Sequence, residues 1–142
     1  MIVPTAIDQS SLDRLRADPP LAIAATELLW RASRAPDSAA YLADALPTVL
    51  LAAGGSFVAI VEGCEGRWNS LAEAGARQRL PGELLAEIMD RDAPGTRDDW
   101  IALPMALPKG VSRGVVFRCG PGAEPQAALT SLGILVPLLA EQ

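Results

Sequence analysis

The most apolar stretch of the sequence, Ala45 to Val61, is interrupted by Pro47 and by Gly54, Gly55 and Ser56. It falls short of the roughly 20 apolar residues that a membrane-crossing helix requires, and its glycines sit where a helix would stop. The stretch therefore divides into the end of a helix and a strand. The downstream half, Phe57-Val58-Ala59-Ile60-Val61, is short, rich in β-branched residues and bounded by glycines, which is the pattern of a buried strand. Any fold of this chain must bury that strand while a helix leads directly into it.

The flanking pattern supplies the other elements. Ser10 and Asp13 form one S-x-x-D start signal; Asp18, Pro19 and Pro20 form a second, a capping acid followed by prolines suited to a first helical turn. A helix from about Pro20 to Ser33 carries an apolar stripe at spacings of three and four, with Trp30 off the stripe. Pro36-Asp37 precedes a second helix over Ser38 to Ala52, which Pro47 should kink. Arg67 to Ala74 can return beside the apolar strand as a hairpin partner, with Trp68, Ser70, Ala72 and Ala74 on one face. Leu80-Pro81 introduces a short helix to about Arg91, Asp92 to Asp99 is a polar connection, and Trp100 to Leu107 is a strand that Pro104 restricts to an edge or bulge. A turn through Lys109 to Ser112 leads into Gly114-Val115-Val116-Phe117-Arg118-Cys119, and Glu124-Pro125 opens a closing helix. Helices at both ends around two hairpins predict an α+β fold with a mainly antiparallel central sheet and helices packed mainly on one face.

With 142 residues, half of them apolar, the chain has the size of one domain with its own core. Twelve basic residues against 17 acids give a net charge of −5, and no basic run could neutralise several neighbouring phosphates, which argues against direct nucleic-acid binding. Met1 to Ser11 has neither the basic start nor the apolar core of a signal peptide. Cys64 and Cys119 stand 55 positions apart without a CxxC, as expected of reduced thiols in a cytoplasmic protein.

The sequence contains no histidine. This removes Ser-His-Asp and Cys-His mechanisms and the commonest zinc sites, and no glycine-rich phosphate loop is present. Glu83, Glu87 and Asp90, with Asp98 and Asp99, are the only acidic grouping that suggests a cation, and they lack EF-hand spacing. The ordinary reading is a solvated helix face, so no metal and no catalytic residue is assigned.

The order of elements, together with the strings GGSFVAIVEG, LPMALPKGVSRGVVF and LTSLGILVPLLAEQ, resembles a GAF domain. The resemblance covers about Pro20 to Gln142, leaving Met1 to Asp18 as an N-terminal extension of a single domain, and it places the N- and C-terminal helices side by side. It implies a sensory or regulatory module that binds a small molecule in an apolar pocket and signals through its terminal helices to an output domain, a kinase or a transcription activator. The family's cavity lies between the sheet and its short covering helix, so the resemblance makes Phe57, Trp68, Leu85, Met89, Trp100 and Met105 the expected walls, with Arg67, Ser70 and Asp99 as orienting groups. The missing histidine argues against a covalent bilin and a histidine-ligated haem, and no cofactor is expected.

Two other readings remain open. The terminal helices hold more leucine than a lone edge helix must bury, so Leu28, Leu29, Leu132, Leu135, Val136 and Leu139 are candidates for a homodimer interface, and a ligand-free dimerisation module would need nothing more. A cysteine-dependent reductase would require Cys64 and Cys119 to approach each other.

Overall fold

A computed structural model describes residue 13 and residues 16–64, 67–76, 79–105 and 112–140. The Ser10 start signal and the Lys109 turn lie outside these residues. Helix α1 spans Pro19–Arg34; the Asp18 carboxylate accepts the Leu21 amide at 3.2 Å, and Leu21, Ala24, Ala25 and Leu28 form its buried stripe. Helix α2, Ser38–Ala53, starts under Asp37, which accepts the Ala40 amide at 2.7 Å, continues through Pro47 and stops at Gly54 in the left-handed conformation. The local signals thus act where the sequence puts them: an acid satisfies an orphan amide at each start, and a glycine tolerates the positive φ at the stop.

Five strands follow: β1 Gly55–Cys64, β2 Arg67–Gly75, β3 Gly95–Arg97, β4 Trp100–Pro104 and β5 Ser112–Cys119. They form one antiparallel sheet in the order β2-β1-β5-β4-β3. Helix α3, Gly82–Arg91, joins β2 to β3, and helix α4, Pro125–Ala140, closes the fold. β3 corrects the sequence reading, which leaves Asp92 to Asp99 as a connection. Three polar-leaning residues carry no hydrophobic period; the strand exists because β4 offers a backbone edge and because Gly95 lets the chain lie against Ile88 and Leu84 of α3. β3 pairs with β4 only from Trp100 to Ala102, so Pro104 falls where β4 pairs with β5 alone, which suits a residue with no amide to donate.

The alternation of β1 divides the interior into two cores. Val58 and Ile60 face a layer built from α1, α2 and α4, together with Ile101, Leu103, Val115 and Phe117; Phe57, Ala59 and Val61 face α3, together with Ala102 and Val116. Among the described residues, three helices therefore share one face of the sheet, and a single short helix covers part of the other.

The hairpin β1–β2 departs from strict alternation. Ile60 pairs with Ala72 but Val61 pairs with Ser70, so Leu71 is an extra residue in β2. A one-residue bulge transfers the following side chains to the opposite face. Trp68 packs against the α3 core while Ala72 and Ala74 pack against the three-helix core, and the four residues expected on one face are split two and two.

Tyr41 of α2 ties the helical layer together. Its hydroxyl is fully buried and donates to the Leu138 carbonyl of α4 at 3.0 Å. Burial pushes this phenol up from 10.0 to about 12. The fold holds the neutral form, so its contribution is complete below about pH 10 and is lost as the pH rises towards 12. Urea melts should show stability falling across that window in the wild type and a shallower fall in Tyr41→Phe, which should also be about 1–2 kcal/mol less stable at neutral pH because the Leu138 carbonyl loses its buried donor.

Candidate functional site

On the α3 face of the sheet, aromatic side chains and charged groups meet. Leu84, Leu85 and Ile88 of α3 are buried and Met89 is half-buried, all on the side turned to the sheet. Glu83 in the first turn and Arg91 in the last suit the helix dipole, and α3 ends at Asp92 with φ 50°. Beneath it, the Phe57 and Trp100 rings meet edge to face at 6.1 Å with an interplanar angle of 80°, a preferred aromatic geometry. The Trp68 ring lies over Gly63, where a Cβ would come within 3.0 Å of it, and reaches towards Gly82 at the start of α3. A Cβ on Gly114 of β5 would meet Met89 Cε at 2.8 Å and Ile88 Cδ1 at 3.6 Å; glycine at that position is what lets α3 sit so close to the sheet.

Charged pairs border this core. Arg118 of β5 places its guanidinium 5.6 Å from the centre of the Trp100 ring, and its Nε donates to Asp99 Oδ2 at 3.0 Å. Arg97 reaches Glu83 at 2.8 Å and Glu87 at 3.7 Å, while Arg91 reaches Glu87 at 2.6 Å. Among the described residues, no group of three or more acidic or sulfur side chains is placed to hold a metal ion; Glu83, Glu87 and Asp99 are engaged with arginines instead.

Of the nine residues expected around a pocket, Phe57, Trp68, Leu85, Met89 and Trp100 come together at the α3 core. Asp99 borders it through Arg118. Ser70 opposes Val61 and is exposed, and Arg67 is exposed at the far end of β2, opposite Cys64. Met105 belongs to the other core, with Ile101 and Leu103: it stands five positions after Trp100, and an odd offset along a strand reverses the face. Sequence reasoning missed Arg118, although the same rule gives it away, because it shares parity with Val116 and pairs with Trp100 across the strands.

The expected dimer residues are also redistributed. Leu28, Leu132, Leu135, Val136 and Leu139 are buried inside the three-helix core, and only Leu29 reaches the surface. Three helices stacked on a sheet need apolar residues on more than one side of α4, which absorbs the leucines that look surplus along a lone helix. Among the described residues, the large apolar side chains left outside are Ile23, Leu29 and Trp30 of α1, Leu51 of α2 and Leu71 of β2.

Cys64 ends β1, and Cys119, the last residue of β5, lies beside the opposite end of β1. Cys119 pairs with Gly55 and Cys64 with Arg67, so nine strand residues, roughly 30 Å, separate the two positions along the sheet, far beyond the few ångströms a disulfide spans. The Cys64 side chain lies outside the described residues. The buried Cys119 thiol is pushed up by desolvation and then by the Asp99 charge, the opposite of what a reactive thiolate needs.

Among the described residues, no helix is long and apolar enough to cross a membrane. No protein-family model and no curated protein matches the chain. Solved structures do. The GAF domain from a phosphoenolpyruvate-protein phosphotransferase of Coxiella burnetii is similar over 87% of this chain and 93% of its own, with a TM-score of 0.62 at 16% identity. The GAF domain of the corresponding Acinetobacter protein covers 94% and 95%, with a TM-score of 0.56 at 14% identity. That of a proposed sensor histidine kinase from Pseudomonas syringae pv. tomato covers 94% of each, with a TM-score of 0.50 at 16% identity.

Proposed function

From the GAF fold that this chain carries, we propose that it is a non-catalytic sensory domain of the cytoplasm, a homodimer that binds a small molecule between α3 and the sheet and acts on an output domain, a kinase or a transcription activator. The observation that carries this reading is the asymmetry of the two faces. Among the described residues, three helices cover one side of the sheet, whereas one ten-residue helix covers an apolar floor on the other, flanked by the half-buried Trp68 and Trp100. A single short helix held mainly by Leu84, Leu85 and Ile88 is the cover that costs least to displace. An apolar floor with Arg118 and Asp99 at its border suits a planar, largely apolar molecule carrying an anionic or hydrogen-bonding group. The neighbouring GAF domains come from signalling and phosphotransfer proteins, which supports an output domain.

β1 and β5 line both cores, so a shift on the α3 side meets the helical layer through alternate residues of the same strands, Phe57 against Val58 and Val116 against Val115. A second reading, a ligand-free dimerisation module, is favoured by the close packing of Met89 on Gly114.

Native mass spectrometry of the protein purified from its own cells tests the two. A stoichiometric adduct, released on gentle denaturation with a change in Trp68 and Trp100 emission, is the expected result. A clean empty mass, with emission unmoved by candidate metabolites, overturns the sensor and leaves the module.

A further inference from the structure

Among the described residues, Asp92 and Asp98 are the two non-glycine residues with positive φ, at 50° and 55°. They stand at either end of the segment that carries β3: Asp92 ends α3, and Asp98 opens the turn from β3 into β4. Side chains are disfavoured in the left-handed region, aspartate less than most, so the chain bends at a cost on both sides of this short strand. Between the bends, β3 is tied to α3 by charge and by packing. Arg97 reaches Glu83 and Glu87 of α3, Glu87 also holds Arg91, and a Cβ on Gly95 would lie 3.1 Å from Ile88 Cγ2 and 3.3 Å from Leu84 Cδ1. Towards the rest of the sheet, the strand pairs only from Gly95 to Arg97, opposite Ala102 to Trp100. We propose that α3 and β3 are one moving cover over the apolar floor, turning at Asp98, and that the Asp99–Arg118 ion pair keeps it shut. The proposal rests on the sensor reading above and names what regulates that site.

Asp99 is the first residue on the fixed side of the hinge, and two bonds hold it to β5. Its carbonyl accepts the Cys119 amide at 2.9 Å, and its carboxylate accepts Arg118 Nε at 3.0 Å. Together they pin the turn through backbone and side chain, which over-determines the strained Asp98 beside it. Arg118 also stacks on Trp100, and Trp100 pairs with Arg97. The pinned turn, an aromatic wall of the floor and the strand of the cover are therefore neighbours. An oxyanion on the entering molecule that takes Arg118 removes one of the two pins, so that binding loosens the cover it has to pass. The leucines of α3 and the short ladder decide how rare opening is, and a half-exposed ion pair changes that equilibrium by a few-fold.

The test is amide hydrogen exchange of the full chain without added ligand, followed residue by residue by NMR, in the wild type and in Asp99→Ala, Arg97→Ala and Glu27→Gln. In the wild type, the slowest amides of α3 and β3 should have protection factors within about threefold of each other and below those of β1. Asp99→Ala should speed both sets together by roughly two- to fivefold and leave β1 and α2 unmoved. Arg97→Ala should speed β3 more than α3, because it cuts the tie between them. Glu27→Gln, which removes an ion pair with Arg31 on α1, should leave α3 and β3 unchanged. Wild-type amides of α3 and β3 that differ by more than about tenfold overturn the single cover. An Asp99→Ala variant that leaves both unchanged, or that speeds β1 equally, overturns the role of the ion pair. Either failure leaves the sensor reading standing, since native mass spectrometry tests ligand binding separately.

Discussion

Phe57→Ala should lower the unfolding free energy by about 3–5 kcal/mol, the loss seen when a buried aromatic leaves a cavity that its surroundings only partly fill. Phe57 is fully buried at the centre of the α3 core, pairs with Arg118 and Gly75 on its two neighbouring strands, and holds the Trp100 ring edge to face. Domains of this size are stable by about 5–15 kcal/mol, so the change takes a large share of the total. It should appear as a lower urea midpoint at unchanged slope and as a weaker near-ultraviolet signal from Trp100. A loss below about 1 kcal/mol would mean that α3 settles onto the sheet and closes the gap, and the cover would then be far more mobile than its buried leucines imply. Either value bears on sensing, because the same contacts set what a ligand must displace.

The second large effect belongs to Gly75→Ala, expected to cost about 2–4 kcal/mol. Gly75 ends β2 with φ 93°, a backbone conformation that side chains avoid, and a Cβ there would run into the Ser56 carbonyl oxygen and lie 3.0 Å from Phe57 Cα. Both obstacles are backbone and cannot rotate away. The Ser56 carbonyl already accepts the Ala76 amide at 3.0 Å, so relief by moving it would break the hydrogen bond at the open end of the β1–β2 hairpin. Gly122 separates the two causes: its φ is 78°, but a Cβ there meets nothing within 4 Å. Gly122→Ala should therefore lose only the conformational term, roughly 1–2 kcal/mol. Equal losses in the two variants, measured by the same urea melts, would show that the Ser56 contact relaxes freely.

These two sites differ in how readable they are. Phe57 stands in an apolar run bounded by glycines, so its burial and its strand follow from pattern alone. Gly75 looks like any glycine in a turn-rich stretch, and its demand for an absent side chain arises from Ser56, nineteen residues earlier in the chain. The candidate site divides in the same way. Leu84, Leu85 and Ile88 follow helical spacing, and Trp100 follows strand alternation, so the walls were accessible to reasoning on periodicity. Met105 needed its parity counted from Trp100. The exposure of Ile23 and Leu51 and the burial of Leu132 and Leu135 needed the packing of three helices on one sheet face.

The sequence by itself determined the elements whose signals are local: the caps at Asp18 and Asp37, the stop at Gly54, the buried strand after it and the short helix before Arg91. These depend on orphan amides, on φ and on side-chain periodicity, all of which act within a few residues. Tertiary structure alone decided the bulge at Leu71, the existence of β3, the separation of Cys64 from Cys119 and the surface on which apolar residues remain. Each of these is a relation between segments distant in the chain, set by which backbone edge is free and which face is already covered, and no local preference encodes it.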